Sequence, residues 1–204
     1  MEEIIAAVLD ALPKARLVEV EVSARHVHLN IADVETLFGP GATLTPKRPL
    51  SQPGQFLSEE RVTLVGPKGR KERTAVLGPS RPLTQVELSQ SDCMELGLKN
   101  VPIRESGDVV RSGGITIEGP CGSIVLEEGV IIAHNHVHLT PSAAQAMGVH
   151  NKQRVSVEVA TDRPITFTDV IIRVNEKFSN RMHVDFDEAN AAHVSGFTLG
   201  HIVP

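Results

Sequence analysis

The chain has 204 residues, enough for one or two compact units, and a 41% hydrophobic content that is ample for a core. A net charge of -5 argues against a broad nucleic-acid surface, and 3% aromatics with no Trp or Tyr removes the stacking platforms of single-strand binders. No apolar run is long enough for a bilayer, no segment has the pattern of a secretion signal, and Cys93 and Cys121 form neither a disulfide framework nor a C-x-x-C knuckle; the expectation is a soluble cytoplasmic protein with both cysteines packed inside.

Taken in chain order, residues 1–13 read as an N-terminal amphipathic helix. Ile4, Ile5, Val8, Leu9 and Leu12 share one stripe, and Pro13 is expected to end it. Two roles suit such a helix: packing on the body, or docking to a partner such as the protein shell of a bacterial microcompartment. Leu17–Val22 then alternates as a strand and runs into Ser23-Ala24-Arg25 and the tetrapeptide His26-Val27-His28-Leu29. Asn30 is placed to cap a short helix reaching Phe38, with Gly39 and Pro40 as its stop. Residues 39–58, rich in Gly, Pro and Gln, read as an inserted loop whose order depends on a ligand or partner.

Val62–Val65 leads into Gly66-Pro67-Lys68-Gly69, and Ile115–Glu118 leads into Gly119-Pro120-Cys121-Gly122; both read as strand and tight turn. His136-Val137-His138-Leu139 repeats the first tetrapeptide. Thr140 follows as a cap, Pro141 at the first helical position and Gly148 as the stop. Arg154–Val159 and Thr168–Val174 add further strands. The helices are too short to serve as crossovers of a parallel sheet. The expected fold is mainly β: two related small β-barrels with short capping helices. Residues 14–24 and 134–204 form one, and residues 25–133 form the other, with the 39–58 loop inserted.

His-x-His carries the chemistry. On a strand, residues i and i+2 face one side, so two imidazoles can share one metal. A third protein ligand is needed. Thr84–Ser89 alternates, with Gln85, Glu87 and Ser89 on one face; alone, that face is expected to meet water. In Arg181–Asp187, Met182, Val184 and Phe186 are expected to face inward, leaving His183 opposite. Asp185 with Glu188 reads as a helix cap rather than a ligand. Arg25 is placed to hold an anion, and the Gly107, Gly113, Gly114 turn with Arg104 and Arg111 is a weak phosphate candidate. No P-loop, G-x-G-x-x-G, G-x-S-x-G or H-x-H-x-D-H pattern is present. The residues alone leave the ligand grouping open. They also leave two other classes: a bicupin-like oxygenase or isomerase, which would need a carboxylate shortly after each His pair, and a non-catalytic metal-binding or shell-associated protein.

Several stretches together resemble the PduL-type phosphotransacylases (phosphate propanoyltransferases). They are Ser23–Leu29, Gly78–Arg81 through Thr84–Glu87, Pro102–Asp108, Ile131–His138 and Asp187–Ala191. The resemblance implies two β-barrels with a two-zinc active site at their junction. It implies interconversion of a short-chain acyl-coenzyme A (propanoyl or acetyl) plus phosphate with acyl phosphate plus coenzyme A. One zinc would be held by His26, His28 and Glu87, the other by His136, His138 and His183, with Arg81 as the catalytic arginine. A homo-oligomer is the expected assembly. Two positions depart from the family pattern: Asn135, where an arginine usually precedes the second His pair, and Phe186, where a smaller polar residue is usual. His134 stands ready to supply the charge that Asn135 lacks.

Overall fold

The computed structural model describes residues 11–204. Ile4, Ile5, Val8 and Leu9 of the amphipathic stripe lie outside them, and Leu12 lies within. A helical turn runs through Pro13 to Lys14, so Pro13 does not end it. Proline lacks a donor, but its carbonyl still accepts from the Arg16 N–H at 3.0 Å and closes one more turn. Among the described residues, no helix is long and apolar enough to cross a membrane.

In chain order the elements are β1 (Leu17–Val22), β2 (His26–His28), α1 (Ile31–Phe38), β3 (Pro46–Pro49), β4 (Phe56–Val65), β5 (Arg70–Gly78) and β6 (Gln85–Leu88). Then come α2 (Gln90–Leu96), β7 (Ile103–Arg104), β8 (Gly113–Glu118), β9 (Ser123–Ala133), β10 (His136–Leu139) and α3 (Pro141–Met147). The chain closes with β11 (Arg154–Ala160), β12 (Ile165–Val174), β13 (Arg181–Val184), α4 (Phe186–Ala191) and β14 (Thr198–Val203). These elements divide into two units, one continuous (Ala24–Ala133) and one discontinuous (the chain up to Ser23 with His134–Pro204).

The discontinuous unit is a closed six-stranded barrel in the order β1-β13-β10-β12-β11-β14. Val18, Val20, Val137, Leu139, Val157, Ile172, Met182 and Ile202 fill its interior. In the continuous unit, β4-β5-β2-β6-β9-β8 close a second ring, because β8 pairs with both β9 and β4. Its core includes Val27, Leu29, Val76, Val86, Ile117 and Val130. β3 adds to the start of β4 and β7 to the end of β9. The expected inserted loop is therefore partly strand: β3 lies within it, Phe56–Ser58 belong to β4, and the Thr45 N–H is held by the Glu60 carboxylate.

The two barrels repeat one pairing scheme. β2 lies parallel to β5 and antiparallel to β6; β10 lies parallel to β12 and antiparallel to β13. Parallel neighbours thus occur without long helices, because the return runs through short elements: α1, β3 and β4 between β2 and β5, and α3 and β11 between β10 and β12. β9 is parallel to β6, and β1 is parallel to β13. So β1, which leads into β2, completes the barrel of β10, while β9, which leads into β10, completes the barrel of β2.

Both G-P-x-G turns belong to the continuous unit, joining β4 to β5 and β8 to β9. They do not mark the two halves of the chain. Each covers a helix end: the Lys68 N–H donates to the Leu96 carbonyl, and the Cys121 N–H to that of Leu37, both at 3.0 Å. A Cβ on Gly66 would lie 2.3 Å from the Leu96 carbonyl oxygen, and one on Gly119 would lie 2.4 Å from that of Leu37. Glycine is required there by close approach.

Candidate functional site

Each His pair sits on a short strand that its own alternation explains. Val27 and Leu29 point into one core, Val137 and Leu139 into the other, and the histidines take the opposite face. The helices that follow are capped as their sequences suggest: the Asn30 side chain accepts from Asp33 N, and that of Thr140 from Ala143 N.

In the continuous unit, the β2–β6 register sets His26 opposite Glu87 and His28 opposite Gln85. One ligand-type atom from each of His26, His28 and Glu87 lies within 4.8 Å of the others, and all three residues are buried. The His26 Nδ1 lies 2.8 Å from the Ala24 carbonyl. A carbonyl only accepts, so Nδ1 carries a proton, and in the neutral ring the lone pair is on Nε2. That nitrogen stands 3.6 Å from Glu87 Oε2.

In the discontinuous unit, the β10–β13 register sets His136 opposite His183. Ring centroids lie 4.7 Å apart for His136–His138, 5.3 Å for His136–His183 and 5.0 Å for His138–His183. His136 repeats the local arrangement of His26, with Nδ1 2.8 Å from the His134 carbonyl. Glu87 and His183 therefore occupy equivalent positions in the two barrels.

The second histidine of each pair also behaves alike. Nδ1 of His28 and Nδ1 of His138 are buried with no hydrogen-bond partner. A buried polar nitrogen left bare is costly unless something fills the place. Burial, then the neighbouring His26 and Arg81, pull His28 down to about 2; burial, then His136, His183 and Arg173, do the same to His138. Rings such as His26 and His136, oriented by backbone carbonyls, beside His28 and His138, kept neutral with a bare buried nitrogen, are a donor set that suits a divalent cation such as zinc. Burial opposes charge on both His26 and Glu87, yet their mutual attraction wins: His26 is raised and Glu87 is held well below the usual carboxylate range.

A pH effect follows for the metal-free protein, kept so by a chelator. Below the ordinary histidine value of 6.5, the unfolded chain binds protons at positions 28 and 138, while the folded chain leaves both rings neutral down to about 2. The unfolded state then holds more protons, so stability falls with pH by about 1.4 kcal/mol per pH unit for each ring. His26 has the opposite sign, its contribution being lost only as pH rises through its raised pKa, so it does not cancel the fall on the acid side. Denaturant titrations of chelated protein at pH 6.5 and pH 5 check this; equal stabilities would refute it.

Arg81 follows the cis Gly78–Pro79 bond by two positions, and its backbone N–H donates to the Leu29 carbonyl at 2.9 Å. Its Nη1 donates to Ser106 Oγ at 3.1 Å. Its charge is close enough to lower the pKa of both His26 and His28. Gln85, Glu87 and Ser89 are buried, so the polar face of β6 does not meet water. β6 is covered on both sides, which alternation alone does not reveal. Gln85 and Ser106 bind the Glu87–Arg81 region together; the one available signal was Gln85 sharing the face of Glu87.

The remaining expectations divide into those met and those corrected. Arg25, itself half-buried, pairs with buried Asp92 at 2.9 Å, which commits its charge to an ion pair. Arg104 pairs with Asp108 at 2.8 Å within its own loop. Cys93 is buried, but Cys121 is exposed because the tight turn projects it outward. Asp185 caps α4, with Glu188 completing the capping box. The strand ends at Val184, which breaks the two-residue period and leaves Phe186 44% exposed. Asn135 donates to Glu188 Oε1 at 2.6 Å, and His134 Nε2 lies 3.3 Å from Asp169, whose carboxylate also takes Arg154.

Comparison with known proteins gives one consistent result. The sequence profile of the Phosphate propanoyltransferase family matches residues 19–195. A phosphate propanoyltransferase of Clostridioides difficile (strain 630) is 45% identical over 203 residues, 100% of this chain and 97% of the relative. One from Priestia megaterium is 50% identical over 193 residues, covering 95% and 88%. One from Thermotoga maritima is 51% identical over 185 residues, covering 90% and 88%. Identity at this level over nearly the full length of both chains places this protein in the phosphate propanoyltransferase family, as a phosphotransacylase.

Proposed function

We propose that this enzyme interconverts a short-chain acyl-coenzyme A, propanoyl or acetyl, plus phosphate with acyl phosphate plus coenzyme A, using one zinc ion in each unit. His26, His28 and Glu87 would hold one ion, and His136, His138 and His183 the other. The observation that carries the reading is the matched pair of triads at equivalent registers, one of them within reach of the Arg81 charge. Zinc at such sites acts as a Lewis acid that lowers the pKa of a bound thiol or stabilises an oxyanion.

The chain's own groups suit the rest of the reaction. A phosphate oxygen attacks the thioester carbonyl carbon, the carbon–sulfur bond breaks, and sulfur leaves with the bonding pair. The planar guanidinium of Arg81 matches the oxygens of phosphate and the developing oxyanion. Both Glu87 oxygens are engaged, Oε1 by the Gln85 amide and Oε2 facing His26 at 3.6 Å, and the carboxylate would be further committed to the metal, which makes it a poor acyl acceptor. Direct attack by phosphate therefore needs no acyl-enzyme.

Thiol release from acetyl- and propanoyl-coenzyme A, with and without phosphate, tests the reading. Release that requires phosphate and yields acyl phosphate is expected. Release at equal rate without phosphate would mean hydrolysis, and no release from either thioester would remove the activity.

A further inference from the structure

Gln85 is 2% exposed, a primary amide enclosed in the continuous barrel. Its hydrogen bonds can be assigned without ambiguity. The Gly107 backbone N–H donates to its Oε1 at 2.6 Å. A backbone N–H cannot accept, so the amide oxygen must face Gly107 and the NH2 group must face the other way. There, Nε2 donates to Glu87 Oε1 at 2.6 Å and to Ser106 Oγ at 3.0 Å. Both N–H groups are used.

This arrangement fixes more than Gln85. One Glu87 oxygen is taken by the amide, so the other is the one turned toward His26. Ser106 Oγ accepts from Gln85 and also from Arg81 Nη1 at 3.1 Å. With two donors on its oxygen, the hydroxyl proton points elsewhere, and a hydrogen bond from Ser106 is among the influences that keep Glu87 ionised. The amide and the hydroxyl form a neutral bridge between a carboxylate and a guanidinium. Partners of this kind behind a ligating carboxylate set its orientation, and their loss characteristically costs 10–100-fold in metal affinity or activity.

We propose that Gln85 is a positioning residue: its buried amide holds Glu87 with a single oxygen directed at the His26–His28 pair and, through Ser106, holds Arg81 in register with that carboxylate. This rests on the zinc sites of the preceding section. The second triad, on β10 and β13, belongs to the other unit and provides the internal control.

The experiment is zinc binding to full-length apo protein by competition with a chromophoric chelator, alongside steady-state kinetics in phosphate. In Gln85→Met, one of the two zinc ions should bind roughly 10–100-fold more weakly and the other as in wild type. Ser106→Ala removes the link to Arg81 together with the hydroxyl's contacts to Gln85 and Glu87, but Gln85 still holds Glu87 directly: both ions should bind within a few-fold of wild type, and KM for phosphate should rise by about tenfold, the loss of one charge-assisted hydrogen bond. Equal weakening of both ions in Gln85→Met would mean a general packing defect and overturn the proposal, as would two unchanged ions. Should Gln85→Met fail to fold, Ser106→Ala decides: an unchanged KM overturns the proposal. Wild type taking up fewer than two ions would instead remove the zinc reading, and this inference with it.

Discussion

Replacing His28 with alanine is expected to abolish acyl transfer, by roughly three orders of magnitude or more, in a protein that remains folded. The reason lies in the bonding of the ring. His28 Nδ1 has no hydrogen-bond partner, so truncation strands no donor or acceptor at that atom. The strand keeps Val27 and Leu29 in the core, which are the groups that hold β2 in place. What is lost, on the proposed reading, is a metal ligand in a buried triad. His136→Ala makes the same statement for the other barrel. Metal analysis should find about two zinc ions in wild type and about one in each variant, with an unchanged far-ultraviolet spectrum. Wild type with one ion or none, or a variant with near-normal turnover, would sink the two-site reading.

Arg81→Ala should cut turnover by roughly two orders of magnitude or more if the guanidinium stabilises the transition state. The backbone bond from Arg81 to Leu29 survives the substitution, so the chain path should hold. Both zinc ions should remain, which separates this defect from that of His28→Ala. Arg81→Lys keeps the charge but loses the planar fork, and should recover only part of the rate. A near-normal rate in Arg81→Ala would take the residue out of the mechanism.

The sequence carried the local chemistry well and the covering of surfaces poorly. The strand character of both His pairs, the caps at Asn30, Thr140 and Asp185, and the placement of Asp185 outside the ligand set all follow from interactions a few residues apart. Gln85, Glu87 and Ser89 were expected to meet water because a two-residue period reveals that a strand has two faces, not what lies over each. The same limit hid the partner of Arg25, since Asp92 stands 67 residues away. It also hid the nature of the G-P-x-G turns, whose glycines answer to helix ends distant in sequence. The exchange of β1 and β9 between barrels depends on pairings that leave no mark on the residues of either strand.

One register position carries a consequence for how a duplicated scaffold acquires separate tasks. Where β13 sets His183 against His136, β6 sets Glu87 against His26. On the proposed reading, a dication held by three imidazoles would keep its whole charge and favour an anion; one held by two imidazoles and a carboxylate would lose half of it and tolerate a softer, more weakly bound guest. Division of labour between twin pockets then needs a single side chain to differ, with every strand left where it was.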